Sequence, residues 1–153
     1  MTATAKLATK STTTTEQTAS PISGKVQSRV LGATRLVISL LFVLHGVVGM
    51  WGAWGGNDTM GGSAALFSWP DWWASLIHLV AGAFVFSGLL TRWAALLCSG
   101  AMAFAYFTVH LPLGFVPLAN GGELAVMFSW IFLLIAVVGP GAFALDNLRR
   151  RRR

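Results

Sequence analysis

Four long apolar stretches constrain this chain more than any other feature of its sequence. They cover residues 30–50, 72–90, 93–111 and 123–139. Each is about long enough to cross roughly 30 Å of hydrocarbon as a helix that rises about 1.5 Å per residue. The hydrophobic runs are continuous instead of alternating, which favours helices over the strands of a membrane barrel. The sequence therefore predicts an all-α fold class, a polytopic membrane protein built as a four-transmembrane-helix bundle.

The composition excludes several classes of function. Hydrophobic residues make up 55% of the chain and charged residues 10%, whereas soluble domains average roughly 45–50% and about 25%. The net charge is +6, and nine of the eleven Lys and Arg residues lie in the two tails, which leaves Arg35 and Arg92 in the hydrophobic body. Two separated cations are too few to follow a phosphate backbone, so no nucleic-acid partner is expected. The single cysteine, Cys98, excludes an intramolecular disulfide and a CxxC thiol-oxidoreductase site within the chain.

The positions of the charges predict the orientation in the membrane. Lys and Arg occur in the tails, near the start of the first stretch and in the short connection Thr91-Arg92, but not in residues 51–71 or 112–122. Four spans place both tails on one side, and the positive-inside rule makes that side cytoplasmic. We therefore expect a multi-pass protein of the bacterial inner (plasma) membrane with an N-in/C-in topology. An aromatic belt is expected at the opposite face, formed by Trp51, Trp54, Trp69, Trp72 and Trp73.

Three parts of the chain are expected to behave differently. Residues 1–29 are rich in Thr and Ser and poor in apolar residues, which predicts a disordered cytoplasmic tail. Residues 30–146 form the predicted transmembrane domain. Residues 147–153 are a polybasic cytoplasmic tail. The run from Arg149 to Arg153 is expected to bind anionic lipid, or alternatively an acidic soluble partner.

Ionisable residues inside the apolar stretches indicate a candidate site. A charged side chain costs about 2.5–3.5 kcal/mol at the bilayer centre, so each one needs a partner or a role. His45, His78 and His110 all lie in the outer halves of their predicted spans, and Glu123 opens the fourth span at a similar level. Tyr106 shares a helical face with His110. These five residues are the predicted cofactor-binding set, contributed by four helices.

Three interpretations of this set remain open. Imidazole and carboxylate groups exchange protons and hydrogen bonds with quinone oxygens, so a pocket for a quinone head group is favoured. Haem or metal ligation is less favoured, because no HxxxH or ExxH spacing occurs within a span. In the third interpretation these groups satisfy one another structurally. The sequence assigns no catalytic residue and no metal ligand.

Four further residues are assigned structural roles. Arg35 lies near the inner end of the first span and is expected to act as an interfacial anchor that reaches toward lipid phosphates. Arg92 marks the inner turn. Gly46 and Gly49 allow close approach of a neighbouring helix. The same glycine-rich face permits self-association, so a homo-oligomer is possible.

An ordered set of motifs resembles the DoxX family of small four-span bacterial membrane proteins. The set consists of Arg35 followed by Phe42-Val43-Leu44-His45-Gly46, then Gly88-Leu89-Leu90-Thr91-Arg92, then Val109-His110-Leu111-Pro112 with Gly114-Phe115, and finally Gly121-Gly122-Glu123 with Gly139-Pro140-Gly141. The resemblance covers about residues 29–146. It implies a role in quinone-linked sulfur oxidation or in oxidative or thiol stress, because thiosulfate:quinone oxidoreductase membrane subunits are relatives of the family.

These expectations combine into one functional hypothesis with two rivals. The favoured hypothesis is an integral membrane subunit of a redox-linked complex, either quinone-facing or anchoring, whose partners are the lipid bilayer and soluble redox proteins. If it is an enzyme, it is an oxidoreductase subunit instead of a stand-alone catalyst. The rivals are a non-catalytic scaffold that recruits soluble partners and a small-solute carrier. A carrier usually shows broken helices at mid-membrane, which this sequence does not predict.

Overall fold

The computed structural model describes residues 23–56 and 62–151, and every regular element in those ranges is helical. The four long helices are α1 (Gly24–Trp51), α2 (Asp71–Ser87), α3 (Thr91–Ala105) and α4 (Glu123–Val138), and a short α5 (Leu145–Arg151) follows them. A π-helical turn, Tyr106–His110, and a 3-10 turn, Leu111–Leu113, continue α3. Another 3-10 turn, Ala53–Gly55, follows α1. The predicted all-α fold class is confirmed.

The helix boundaries correct one of the predicted segments. Helix α1 begins at Gly24, so residues 24–29 are helical although they were assigned to a disordered tail; residues 1–22 of that tail lie outside the described part. The chain enters the helix early because the loop after α4 packs on this segment, where the Ala142 amide donates to the Ser28 carbonyl at 2.8 Å. The predicted polybasic tail is helical in its first residues, since α5 extends to Arg151; residues 152–153 are not described.

Two of the four predicted spans are long enough to cross a membrane by length and composition. They are Gly24–Trp51 and the continuous segment Thr91–Leu113. Helices α2 and α4 are apolar but have 17 and 16 residues, which correspond to about 26 Å and 24 Å. Helix α2 ends earlier than predicted because Gly88 adopts a left-handed conformation, with φ of 72°. The turn before α3 therefore begins at Gly88.

Small and large apolar side chains together fill the core between the helices, while further large apolar side chains cover the outside. The buried core combines Phe42, Phe128, Phe132, Val85 and Ile135 with Ala81, Ala94, Ala95 and Cys98, drawn from all four long helices. Outward-facing positions on these helices include Val37, Val80, Leu97 and Trp130, which are 57%, 50%, 53% and 68% exposed. Water-soluble proteins rarely expose apolar surface on this scale. Small residues at helix contacts are typical of proteins that lie in lipid.

A buried arginine fastens one end of the molecule, where the turn between α2 and α3 lies. Arg35 is fully buried, and its guanidinium donates to carbonyls at the end of α2 and in the loop after α4. Its Nε donates to the Pro140 carbonyl at 2.9 Å. Its Nη1 donates to the Val85 carbonyl at 2.5 Å and also contacts the Phe86 carbonyl. Its Nη2 donates to the Phe143 carbonyl at 3.0 Å and to the Ala142 carbonyl at 3.4 Å. Two of these carbonyls belong to the last turn of α2, where the helix dipole favours a cation. The expected reach toward lipid phosphates is corrected: protein carbonyls take the place of the headgroups.

A carboxylate caps the next helix at the same end. The Asp146 carboxylate accepts hydrogen bonds from the amides of Leu90 and Thr91, both at 3.0 Å, and from the Thr91 hydroxyl at 2.9 Å. These amides are among those that the first turn of α3 leaves without intrahelical partners. The Asp146 amide in turn donates to the Gly88 carbonyl at 2.8 Å. Helix α5 is therefore fixed to the turn between α2 and α3.

Replacement of Arg35 by leucine is expected to lower the free energy of unfolding by at least about 3 kcal/mol, because each buried carbonyl without a donor costs roughly 1–3 kcal/mol. Arg35→Lys should also destabilise the protein, since an ammonium cannot reach both groups of carbonyls at once. Unfolding of the detergent-solubilised protein by SDS titration measures this. The exposed Arg92 provides the control as Arg92→Gln, and equal losses at the two positions would contradict the clamp.

Candidate functional site

The predicted histidines line one cavity, at the end of the long helices opposite Arg35. The cavity has a volume of about 350 Å³, and its walls include His45 from α1, His78 from α2 and His110 from the π-helical turn after α3. Helix α4 closes it with Leu124, Ala125 and Phe128. Ligand pockets usually measure about 300–1,000 Å³, so this cavity is large enough for one small ring. We call it the histidine cavity.

Close packing of α1 on α2 places the first two imidazoles. A Cβ on Gly46 would lie 2.9 Å from the Leu79 amide nitrogen and 3.0 Å from the His78 Cβ, so only glycine permits this approach. Gly82 plays the same role further along α2, facing Val43. The Phe42 ring lies 4.2 Å from the His78 ring between centroids. The expectation that Gly46 allows close helix approach is met at this contact.

A loop holds the third imidazole. His110 ends the π-helical turn, and its Nδ1 lies 3.2 Å from the Asn120 carbonyl oxygen. Asn120 is buried, and its side chain donates to the Gly114 carbonyl at 2.6 Å and accepts from the Gly122 amide at 2.8 Å. The Tyr106 ring stacks on the His110 ring with centroids 6.5 Å apart. Local π-helical turns frequently occur at functional sites, and this one directs His110 into the cavity.

The hydrogen bonds fix which nitrogen of two imidazoles can act. The Nδ1 atom of His45 lies 2.9 Å from the Leu41 carbonyl oxygen, as the Nδ1 of His110 does from that of Asn120. A carbonyl only accepts, so Nδ1 carries the hydrogen in both rings. In a neutral ring Nε2 is then the acceptor, and in a protonated ring Nε2 is a second donor. Both rings can therefore take up or release a proton at Nε2.

Two predicted site residues do not line the histidine cavity. Glu123 is exposed, because it lies about 200° around α4 from Ala125, which is buried and lines the cavity. Tyr106 lies behind His110, and its hydroxyl donates to the Phe115 carbonyl at 2.9 Å. Tyr106 thus supports His110 and does not face the cavity.

Two polar residues of the cavity were not among the site residues predicted from the sequence. Asp71 and Thr108 both line it. Asp71, Ala74 and His78 follow an i, i+3, i+7 pattern, which places them on one face of α2. That spacing was available in the sequence, but Asp71 was assigned to the preceding loop, because the second apolar stretch was taken to begin at residue 72.

Gly49 and Arg92, the other two residues that were assigned structural roles, do not line the histidine cavity. Gly49 is buried, and its carbonyl accepts from the Ala64 amide at 2.8 Å, which ties the loop before α2 to the end of α1. Arg92 is exposed in the first turn of α3, with its guanidinium beside Gly139. Within residues 23–56 and 62–151, no group of three or more His, Cys, Asp or Glu side chains is arranged to hold a metal ion.

Comparison with known proteins gives two matches. The DoxX family model matches residues 30–111, a little more than half of the chain. An uncharacterized protein of Haemophilus influenzae is 37% identical over 130 residues, a match that covers 80% of this chain and 92% of the relative. No solved structure matches. The family match includes Arg35, His45, His78 and His110, and it confirms the resemblance drawn from the sequence motifs.

The close contact at Gly46 has a matched control in Gly100, whose Cβ would meet no atom within 4 Å. Gly46→Ala is expected to lower the free energy of unfolding by about 1–3 kcal/mol, because α1 and α2 must separate. Gly100→Ala should leave it unchanged or raise it by up to about 1 kcal/mol, since alanine favours a helix interior. Unfolding in SDS titration distinguishes the two, and losses of equal size would contradict the packing described.

Proposed function

This chain belongs to the DoxX family, and on that premise we propose that its histidine cavity binds the head group of a quinone within a redox-linked membrane complex. The family and the apolar helices make it a membrane protein. The redox role, the quinone and the complex are the proposal. Its main support is the convergence of three imidazoles from three helical segments on one cavity with aromatic walls.

The donor set of the cavity suits a ring that carries carbonyl oxygens. A quinone accepts two electrons and two protons, and its oxygens accept hydrogen bonds. The Nε2 atoms of His45 and His110 donate when protonated, and Phe42 and Phe128 supply apolar faces against which a ring can pack. Asp71 lies on the same face of α2 as His78 and provides a second type of proton carrier. The residues of the cavity would therefore bind and orient the head group and hold protons at its oxygens.

The proposed source of the electrons is a soluble redox protein that docks at the face where the histidine cavity opens, so that the reductant reaches the quinone directly. The basic C-terminus would hold to anionic lipid through Arg149 to Arg153 at the opposite, cytoplasmic face. A homo-oligomer is compatible with this arrangement.

The proposed membrane topology has four spans with both termini in the cytoplasm of a bacterium. The shorter helices α2 and α4 would cross with local thinning of the bilayer, and the exposed Trp51, Trp54 and Trp69 would lie at the outer interface. The histidine cavity would then open near the outer surface. The Arg35 clamp would lie near the inner surface, beside the turn between α2 and α3.

Thiol labelling tests this topology in a Cys98→Ala background, which removes the buried native thiol. Ser63→Cys and Leu118→Cys should react with a membrane-impermeant maleimide in intact spheroplasts. Lys25→Cys and Leu148→Cys should react only after permeabilisation, because the positive-inside rule places them in the cytoplasm. Labelling of Lys25→Cys in intact spheroplasts would overturn the proposed orientation.

Quinone binding is tested on the purified full chain in detergent, with a benzoquinone that carries a ten-carbon tail as the probe. His45→Ala and His110→Ala should each weaken binding by up to about tenfold, the equivalent of one hydrogen bond of roughly 0.5–1.5 kcal/mol. Quenching of tryptophan fluorescence measures the affinity. Leu134→Ala, on the exposed side of α4, is the control and should bind like the wild type.

No saturable binding by the wild type, or unchanged binding after replacement of all three histidines, would contradict the proposed function. The first result would favour a scaffold role for the protein. In that case the imidazoles satisfy one another within the fold.

A further inference from the structure

The histidine cavity adjoins a second space that faces outward between α2 and α3. This apolar groove has a volume of about 540 Å³. The two spaces share four lining residues, Pro70, Ala74, Ala101 and Phe104. The two spaces therefore adjoin along these four residues. Pro70 and Ala74 lie at the start of α2, the helix that carries His78. Ala101 and Phe104 lie on α3, which continues into the turn that carries His110.

The chemistry of the groove differs from that of the cavity. All of its lining residues are aliphatic, aromatic, proline or glycine. Trp93 and Leu97 on its rim are 75% and 53% exposed, so the groove opens onto the apolar outer surface of the helices. It extends along α3 from Trp93 to Phe104, eleven residues or about 16 Å. That shape suits an extended apolar chain better than a compact ring.

Small residues line the boundary between the groove and the cavity, which leaves room there for a ligand. Ala74 on α2 and Ala101 on α3 both line the groove and the cavity. Gly100 lies next to them, and a Cβ built there meets no heavy atom within 4 Å. The helix thus leaves free space at this position, although glycine is costly in a helix interior by roughly 0.8–1.0 kcal/mol.

We propose that the groove and the histidine cavity form one binding site for an amphiphile that reaches it laterally from the lipid phase between α2 and α3. The polar ring occupies the histidine cavity and the apolar tail lies in the groove along α3. This inference rests on the proposed function for the ring and adds the class of ligand. The ligand is a lipid-borne molecule with a long tail, and a water-borne ring without one binds only through the cavity.

The test uses two probes on the full chain in detergent: the benzoquinone with a ten-carbon tail, and the same ring without the tail. Gly100→Leu fills the groove without touching the cavity. It should weaken binding of the tailed probe by at least tenfold and leave binding of the tail-less ring within twofold of the wild type. Val137→Phe adds bulk to the exposed surface of α4, outside the groove, and is the matched control.

Crosslinking gives a second measurement that does not depend on a variant. A tailed probe with a diazirine at the end of its tail should label Trp93, Leu96 or Leu97 of the wild-type protein, as located by mass spectrometry. Excess unlabelled tailed probe should abolish the labelling.

The outcomes separate the two proposals. If the wild type binds both probes and Gly100→Leu affects neither, or if the tail labels residues outside the groove, the lateral site is wrong while the quinone cavity stands. If the wild type binds neither probe, the proposed function fails and the lateral site fails with it. Loss of both probes in Gly100→Leu, with the control unchanged, would also overturn the division between ring and tail.

Discussion

The rest of the structure depends on the Arg35 guanidinium, a buried cation bound by backbone carbonyls. An arginine inside an apolar helix assembly is costly unless all of its charge is solvated by fixed dipoles. Here the end of α2 and the loop after α4 supply those dipoles. One side chain therefore joins α1, α2 and the segment after α4. Asp146 lies in α5 and caps the start of α3. All four long helices are therefore fixed at one end.

The two ends of the protein differ in how their polar side chains are used. At the end that holds Arg35, polar side chains bond to backbone carbonyls and amides, and these bonds join the helices. At the opposite end the imidazoles of His45, His78 and His110 face a cavity, and Nδ1 of His45 and of His110 takes the backbone bond while Nε2 does not. Ionisable groups inside a membrane are costly and usually functional, so the end with the imidazoles is the candidate site.

The sequence predicted part of the candidate site. It did not establish the direction in which each side chain points around its helix. Three of five predicted cofactor-binding residues line the histidine cavity, whereas Glu123 faces away, because adjacent helical residues differ by about 100° in direction. Asp71 was missed although its spacing to His78 placed both on one face. That these side chains bind a quinone stays a proposal. Arg35 was expected at the interface because long cations near helix ends usually reach for headgroups.

The sequence by itself determined the all-α fold class, the approximate extent of the long helices, the family and the identity of the residues that need a partner. These properties follow from hydrophobic runs, turn residues and ordered motifs, all of which are local along the chain. Tertiary structure alone decided which carbonyls bind Arg35, how the histidine cavity is closed and that an apolar groove adjoins it. The acceptors of Arg35 lie between 50 and 108 positions away in the chain. Backbone carbonyls are present at every residue, so no side-chain pattern could have marked them.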